Sequence, residues 1–302
     1  MSSTTTMLTK KGLLHPPKWL PDNIMYEVIM GSHAYGVAHE DSDMDIHGFC
    51  VPPKNVIFPH LAGEIPGFGR QQKRFDQYCT KKTVVDPDAR GGKGQEYDVS
   101  IYSIVRYFQF CMANNPDKLD SLFVPQNCIL QISHIGTMVR EARRLFLHKG
   151  CWPRFKGYAY QQLHKIRSKT PIGKRKETVE KYGYDVKFGY HVVRLLDECE
   201  QILVHGDIDL QRNREQMKAV RRGEMSEEDL RNWFTAKEKQ LEKCYANSKL
   251  PDKPDEQKIR TLLLACLEEH YGTLDDCVIN PDAAIHALRE INETLERNKN
   301  LL

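Results

Sequence analysis

The chain has 302 residues, with 44 Lys and Arg against 41 Asp and Glu, a formal net charge of +3. That balance excludes a uniformly basic nucleic-acid coat protein and an acidic disordered tail, and 40% hydrophobic with 28% charged residues is ordinary globular composition. The length suits one large or two modest domains. The longest apolar run, Leu262-Leu263-Leu264-Ala265-Cys266-Leu267, is broken by Glu268 and Glu269, far short of the ~20 residues a membrane span needs.

The opening residues, MSSTTTMLTKKGLLHPP, are threonine-rich, then proline-rich, and lack the apolar core of a secretion signal. They read as a flexible lead-in over 1–21 of a cytoplasmic protein. Nine scattered cysteines without a Cys-x-x-Cys pair read as reduced structural thiols. Glu27-Val28-Ile29-Met30 reads as a short buried strand that stops at Gly31-Ser32, and Met44 to Val51 as a second strand ended by Pro52-Pro53. The connection between them, 32–42, has room for two or three helical turns.

Residues 63–94 turn rich in Gly, Lys, Arg and Gln, ending in Arg90-Gly91-Gly92-Lys93-Gly94, which predicts a long hairpin or mobile loop with a basic tip. A third strand follows at 96–101. Ser103 can then cap a helix through Ile104, Val105, Phe108 and Met112, which Pro116 ends. Beyond about Gln131, apolar residues recur at helical spacing in 135–148, 157–167, 186–204, 227–246, 256–271 and 282–297. The expected class is α+β: a mixed sheet with flanking helices over 22–130, then an all-helical unit over 131–302.

Charge is uneven in that second half. Residues 143–187 hold thirteen Lys or Arg against three acids, whereas 252–302 hold six against eleven. A concentrated basic segment in a near-neutral chain is expected where a polyanion such as RNA binds at one place. Tyr158, Gln162 and Lys165 fall at i, i+4, i+7, and Lys187, His191 and Arg194 repeat the spacing, so each set forms one stripe of donors on a helix. Such stripes could clamp triphosphate oxygens, with Lys165, Lys187 and His191 as the nucleotide-binding candidates.

The chemistry concentrates in Gly31-Ser32-His33-Ala34-Tyr35-Gly36-Val37-Ala38-His39-Glu40-Asp41-Ser42-Asp43-Met44-Asp45-Ile46-His47-Gly48. Asp43 and Asp45 are two apart on a strand, so both carboxylates share a face. Like charges that close are best tolerated around a divalent cation, and hard oxygen donors suit magnesium. Gly31-Ser32 after a strand offers close backbone approach and a helix start for phosphate. A phosphate cradle beside paired carboxylates describes a nucleoside triphosphate with its metal. Histidines 33, 39 and 47 raise a rival transition-metal reading, but it explains less of the pattern.

On these residues the chain resembles the nucleotidyltransferases of the DNA polymerase beta superfamily, whose pattern is Gly-Ser, about ten residues, then Asp-x-Asp. The string GSHAYGVAHEDSDMDIHGF is similar to one subgroup, predicted nucleotidyltransferases of bacteria and their phages with a Gly-Ser-x-Ala-Tyr-Gly signature. Asp98-Val99, Asn115-Pro116, Gly157-Tyr158-Ala159 and Lys187 with His191 and Arg194 extend the likeness over most of 25–205. The resemblance implies a third carboxylate on a later strand, for which Asp98 is preferred to Glu96. It further implies that Asp43, Asp45 and Asp98 serve as catalytic, metal-ligating carboxylates, Asp43 and Asp45 bridging two magnesium ions ~3.5–4 Å apart, with manganese able to substitute, and Asp98 acting as general base or metal ligand. The expected reaction is transfer of AMP from ATP, or of another nucleoside monophosphate, to a hydroxyl with release of pyrophosphate. The acceptor would be an RNA or tRNA 3′ end met by the 143–187 segment. Protein AMPylation, small-molecule modification and an inert nucleotide-binding module are the alternatives.

Overall fold

A computed structural model describes residues 3–57, 74–171, 173–272 and 281–298. Its centre is a mixed sheet of β1 (Ile24–Ile29), β2 (Met44–Cys50), β3 (Gln77–Cys79), β4 (Val84–Asp86), β5 (Gln95–Ser103) and β6 (Ile129–Ile132), in the order β3-β5-β2-β1-β6 with β4 also on β5. β2 and β5 run parallel; the other pairings are antiparallel. Five of the six β1 residues are buried, as its apolar run predicts. With the helices that follow, the chain is α+β, as expected.

Where it is described, the lead-in is a docked helix and the segment after it. Residues Thr4–Lys10 form helix α1, capped by Ser3, and the segment covers the back of the sheet with Leu8, Leu14 and Leu20, all at most 3% exposed. The buried Glu27 of β1 anchors it, accepting from Ser3 Oγ (3.0 Å), Thr4 N (2.6 Å) and Thr5 N (3.0 Å). A helix start supplies free N–H groups and a carboxylate satisfies them. The polar threonines that resemble a loose tail are the docking end. Leu8, Leu14 and Leu20 join Ile46, Tyr97, Val99 and Ile101 in a back-face core, while the opposite face of β2 and β5 carries Asp45, His47, Asp98 and Ser100 together with Phe49 and Tyr102 of the larger core.

The link from β1 to β2 is shorter in helix than expected. Helix α2 is the single turn Gly31–Ala34; Gly36 then takes φ +67, a left-handed conformation that ends the turn. After β2 comes the turn α3 (Lys54–Ile57). Of the expected 63–94 loop, 63–73 lies outside the described residues; the rest contains β3, β4 and the turn α4 (Ala89–Gly92). Ser103 caps α5 (Ile104–Met112) by accepting from Arg106 N, and Asn115-Pro116 opens the turn α6 (Pro116–Leu119).

The helical half contains α7 (His134–Glu141), α8 (Cys151–Ser168), α9 (Lys174–Tyr182), α10 (Val186–His205), α11 (Arg214–Arg221), α12 (Glu227–Asn247), α13 (Glu256–Tyr271) and α14 (Pro281–Arg297). The expected 135–148 helix is α7 followed by a 3₁₀ turn at Arg143–Phe146. Sequence periodicity misses α9 because KRKETVEKY carries no apolar stripe, and α11 because it spans only eight residues. α10 is buried along most of its length and packs against α8, α11 and α12. The larger core runs continuously from Met25 to Leu267 through both halves. The described cysteines are free thiols, and no described helix is long and apolar enough to cross a membrane.

Candidate active site

Parallel pairing of β2 with β5 sets Asp45 directly opposite Asp98, and Asp43 lies two residues before Asp45 on the same face. The three carboxylates offer ligand atoms within 4.8 Å of one another, and this group contains no histidine. Glu96, the alternative third acid, is exposed and pairs with Val85 of β4 instead. Burial, reinforced by the charges of Asp43, Asp98 and Asp117, pushes the Asp45 carboxyl up to about 6, while Lys187 acts the other way. A half-buried acid cluster that resists ionising alone fits a divalent cation, whose charge would reverse each of those penalties.

Gly31 is required here twice over. Its φ is +61, and a Cβ would stand 1.9 Å from Asp45 Oδ2. The peptide after β1 therefore lies against the Asp45 carboxylate, which a side chain at position 31 would displace. Because α2 is one turn long, the cradle rests on backbone N–H groups rather than on a helix dipole of any length. The buried Ser32 Oγ has no hydrogen-bond partner among the described residues, an orphan that a bound phosphate oxygen would satisfy.

Over this face stands α10. A cavity of ≈ 200 Å³ lies between Gly31, Asp45, His47, Asp117, His191 and Arg194. Burial and the charges of Arg194, Lys187, Arg175 and Lys165 hold the His191 imidazole well below its ordinary range. The fold thus brings Lys165, Lys187 and His191 into one electropositive neighbourhood, with Lys165 Nζ 5.9 Å and Arg175 Cζ 4.8 Å from the Phe188 ring. Two members of the stripes are otherwise engaged. Tyr158 Oη accepts from Asn115 Nδ2 at 3.1 Å. Arg194 is buried against Tyr35 Oη, Asp120, Glu198 and Asp117, so it bridges the halves and is not a free phosphate ligand.

The 143–187 segment is less open than its composition implies: Arg144, Lys149, Lys156, Arg167, Arg175 and Lys176 each pair with a carboxylate. Sequence reasoning passed over Asp117 and Lys118, which lie beside the acids because Pro116 starts a turn there; the charged pair after Asn115-Pro116 was the available signal. Burial pulls the Lys118 ammonium below the usual lysine range, against the attraction of Asp117 and Asp45.

No curated protein matches this chain. Over residues 11–265 the chain matches RlaP, the RNA repair pathway DNA polymerase beta family, and it belongs to that family of nucleotidyltransferases.

Proposed function

We propose that the chain transfers a nucleoside monophosphate, AMP from ATP, to the 3′ hydroxyl of an RNA such as a tRNA, with magnesium as the divalent metal. The observation that carries this reading is the convergence of Asp43, Asp45 and Asp98 beside Gly31. In the reaction the acceptor oxygen forms a bond to the α-phosphorus, the bond from that phosphorus to the β-side oxygen breaks, and pyrophosphate leaves with the electron pair.

Asp98 accepts the hydroxyl proton, and Asp43 and Asp45 with Asp98 would hold the metal. When bound, divalent cations lower the acceptor's pKa and neutralise the charge developing on pyrophosphate. Gly31 and Ser32 receive phosphate oxygens on one side of the acids. Lys165, Lys187 and His191 face the same side and would hold the triphosphate. The acceptor class is supported by the family's description as an RNA repair pathway family.

Incubation with α-labelled ATP, magnesium, total RNA and lysate tests the reading. Label retained on RNA is the expected result. Label on a protein band, or no transfer at all, rejects the RNA acceptor.

A further inference from the structure

We propose that the face of β5 and β3 leading away from Asp98 is the track that seats the 3′-terminal stretch of a single-stranded RNA acceptor, with Lys118, Arg106 and Arg74 as its phosphate ligands. The assignment rests on the transferase reading above and places its acceptor.

The sheet gives the active site two sides. Gly31 and His191 line the cavity on the β1 side of Asp45, whereas Asp98 stands on the β5 side, toward β3. Nucleotide on the first side leaves the second for the acceptor. Along β5, residues 98, 100 and 102 share the face of the acids, and pairing adds Cys79 opposite Ser100 and Gln77 opposite Tyr102. From Asp98 to Tyr102 this strip extends ~13 Å at the usual strand rise.

Two cations flank two aromatic rings along it through direct contacts, the rings being the buried Tyr102 and the half-buried Phe110. Lys118 Nζ lies 5.1 Å from the Tyr102 ring centre, Tyr102 packs edge-on against Phe110 at 5.3 Å, and the Arg106 guanidinium stacks over Phe110 at 4.4 Å. Arg106 then borders an open groove of ≈ 540 Å³ with Arg74, Phe75, Asp76 and Gln77. Among the described residues Arg74 pairs with the exposed Asp76 alone, at 3.6 Å, and Lys118 has no ion pair. Guanidinium planes and phenyl rings accept unstacked bases, and cations at intervals follow a phosphate backbone. The volume suits a nucleotide-sized group. Among the described residues Asp76 is the one acid lining the groove, and its backbone oxygen accepts from Ser103 N at 2.8 Å.

The test measures binding of a 5′-fluorescein single-stranded oligoribonucleotide by anisotropy from about 50 to about 200 mM salt, together with KM for ATP and for RNA. Arg74→Ala and Arg106→Ala should each flatten the log Kd against log salt slope by ~0.7 and raise KM for RNA about fivefold, with KM for ATP unmoved. Lys118→Met, which keeps the alkyl stem over Tyr102, should flatten the salt slope by the same amount. Arg154→Ala and Lys181→Ala, exposed positions in the 143–187 segment, serve as comparators. A slope carried by the comparators and unchanged in the β5–β3 variants overturns the track while wild-type labelling of RNA leaves the transferase reading standing. A wild type that neither binds nor labels RNA overturns both.

Discussion

Arg194 of α10 and Asp120, in the 3₁₀ turn after α6, meet at 2.5 Å in a fully buried pair, and the same guanidinium donates to Tyr35 Oη. Tyr35 belongs to the signature that also supplies Gly31 and Ser32, so one buried cation ties the helical half to the phosphate-binding turn. Removing it leaves Asp120 and Glu198 without their counter-charge. Arg194→Met should cost ~3–5 kcal/mol of stability, and Tyr35→Phe ~1 kcal/mol. Urea denaturation checks both; a loss below ~1 kcal/mol for Arg194→Met contradicts the clamp.

The acid cluster separates activity from stability. Asp43→Asn, Asp45→Asn and Asp98→Asn should each lower transfer on the order of 10³-fold or more without loss of the fold, because each removes repulsion from the cluster. Saturating magnesium should raise the wild-type melting temperature through binding linkage and leave Asp45→Asn unmoved. Label incorporation and thermal melts with and without chelator read both effects; an Asp45→Asn enzyme of wild-type activity rules out the assignment.

Gly31→Ala tests the close approach. The added methyl would collide with Asp45 Oδ2 and strain a positive φ, costing ~1–3 kcal/mol. Because a displacement of about 1 Å at the reacting groups lowers rates about 100-fold, activity should fall by that order. Calorimetry and single-turnover transfer provide the two numbers, and an unaffected rate would mean that the turn does not position the carboxylate.

Glu27 makes docking of α1 depend on pH. Burial raises its carboxyl above the ordinary glutamate value, although hydrogen bonds from Thr5, Thr4 and Ser3 oppose the shift. The folded protein therefore keeps this proton to higher pH than the unfolded chain. Its contribution is complete below ~4.3 and declines as pH rises through the folded value. Glu27→Gln should abolish that decline, so wild type loses ground to the variant on going from acid toward neutral pH. Urea midpoints of both proteins across this range decide it; wild type gaining with pH reverses the sign and refutes the argument.

For the nucleotide side, Lys187→Met and Lys165→Met should raise KM for ATP about tenfold each while the RNA affinity holds, since a charge-assisted contact to a phosphate oxygen is worth roughly 1.5–3 kcal/mol. Initial-rate kinetics with ATP and RNA varied separately read the split; equal shifts in both KM values would point instead to a general disturbance of α8 and α10.

Much of this protein is local in the chain and so could be read from it. Glycine-serine after a strand, and two aspartates two residues apart, are close-range patterns whose geometry follows from strand alternation, and they carried the resemblance to the polymerase beta superfamily that the family match bears out. Ser103 as a cap and the long stripes of α10, α12 and α13 are equally local.

What required the folded chain was every relation between distant residues. Whether Arg194 meets a phosphate or Asp120 depends on how α10 packs against a turn more than seventy positions earlier. The threonines of α1 resemble a tail until the buried Glu27 gives their N–H groups a partner. That Asp98, already preferred from the resemblance, stands directly beside Asp45 is set by the parallel register, with Glu96 two residues further along the same face. Periodicity specifies which face of an element is apolar; only packing decides which surface meets it.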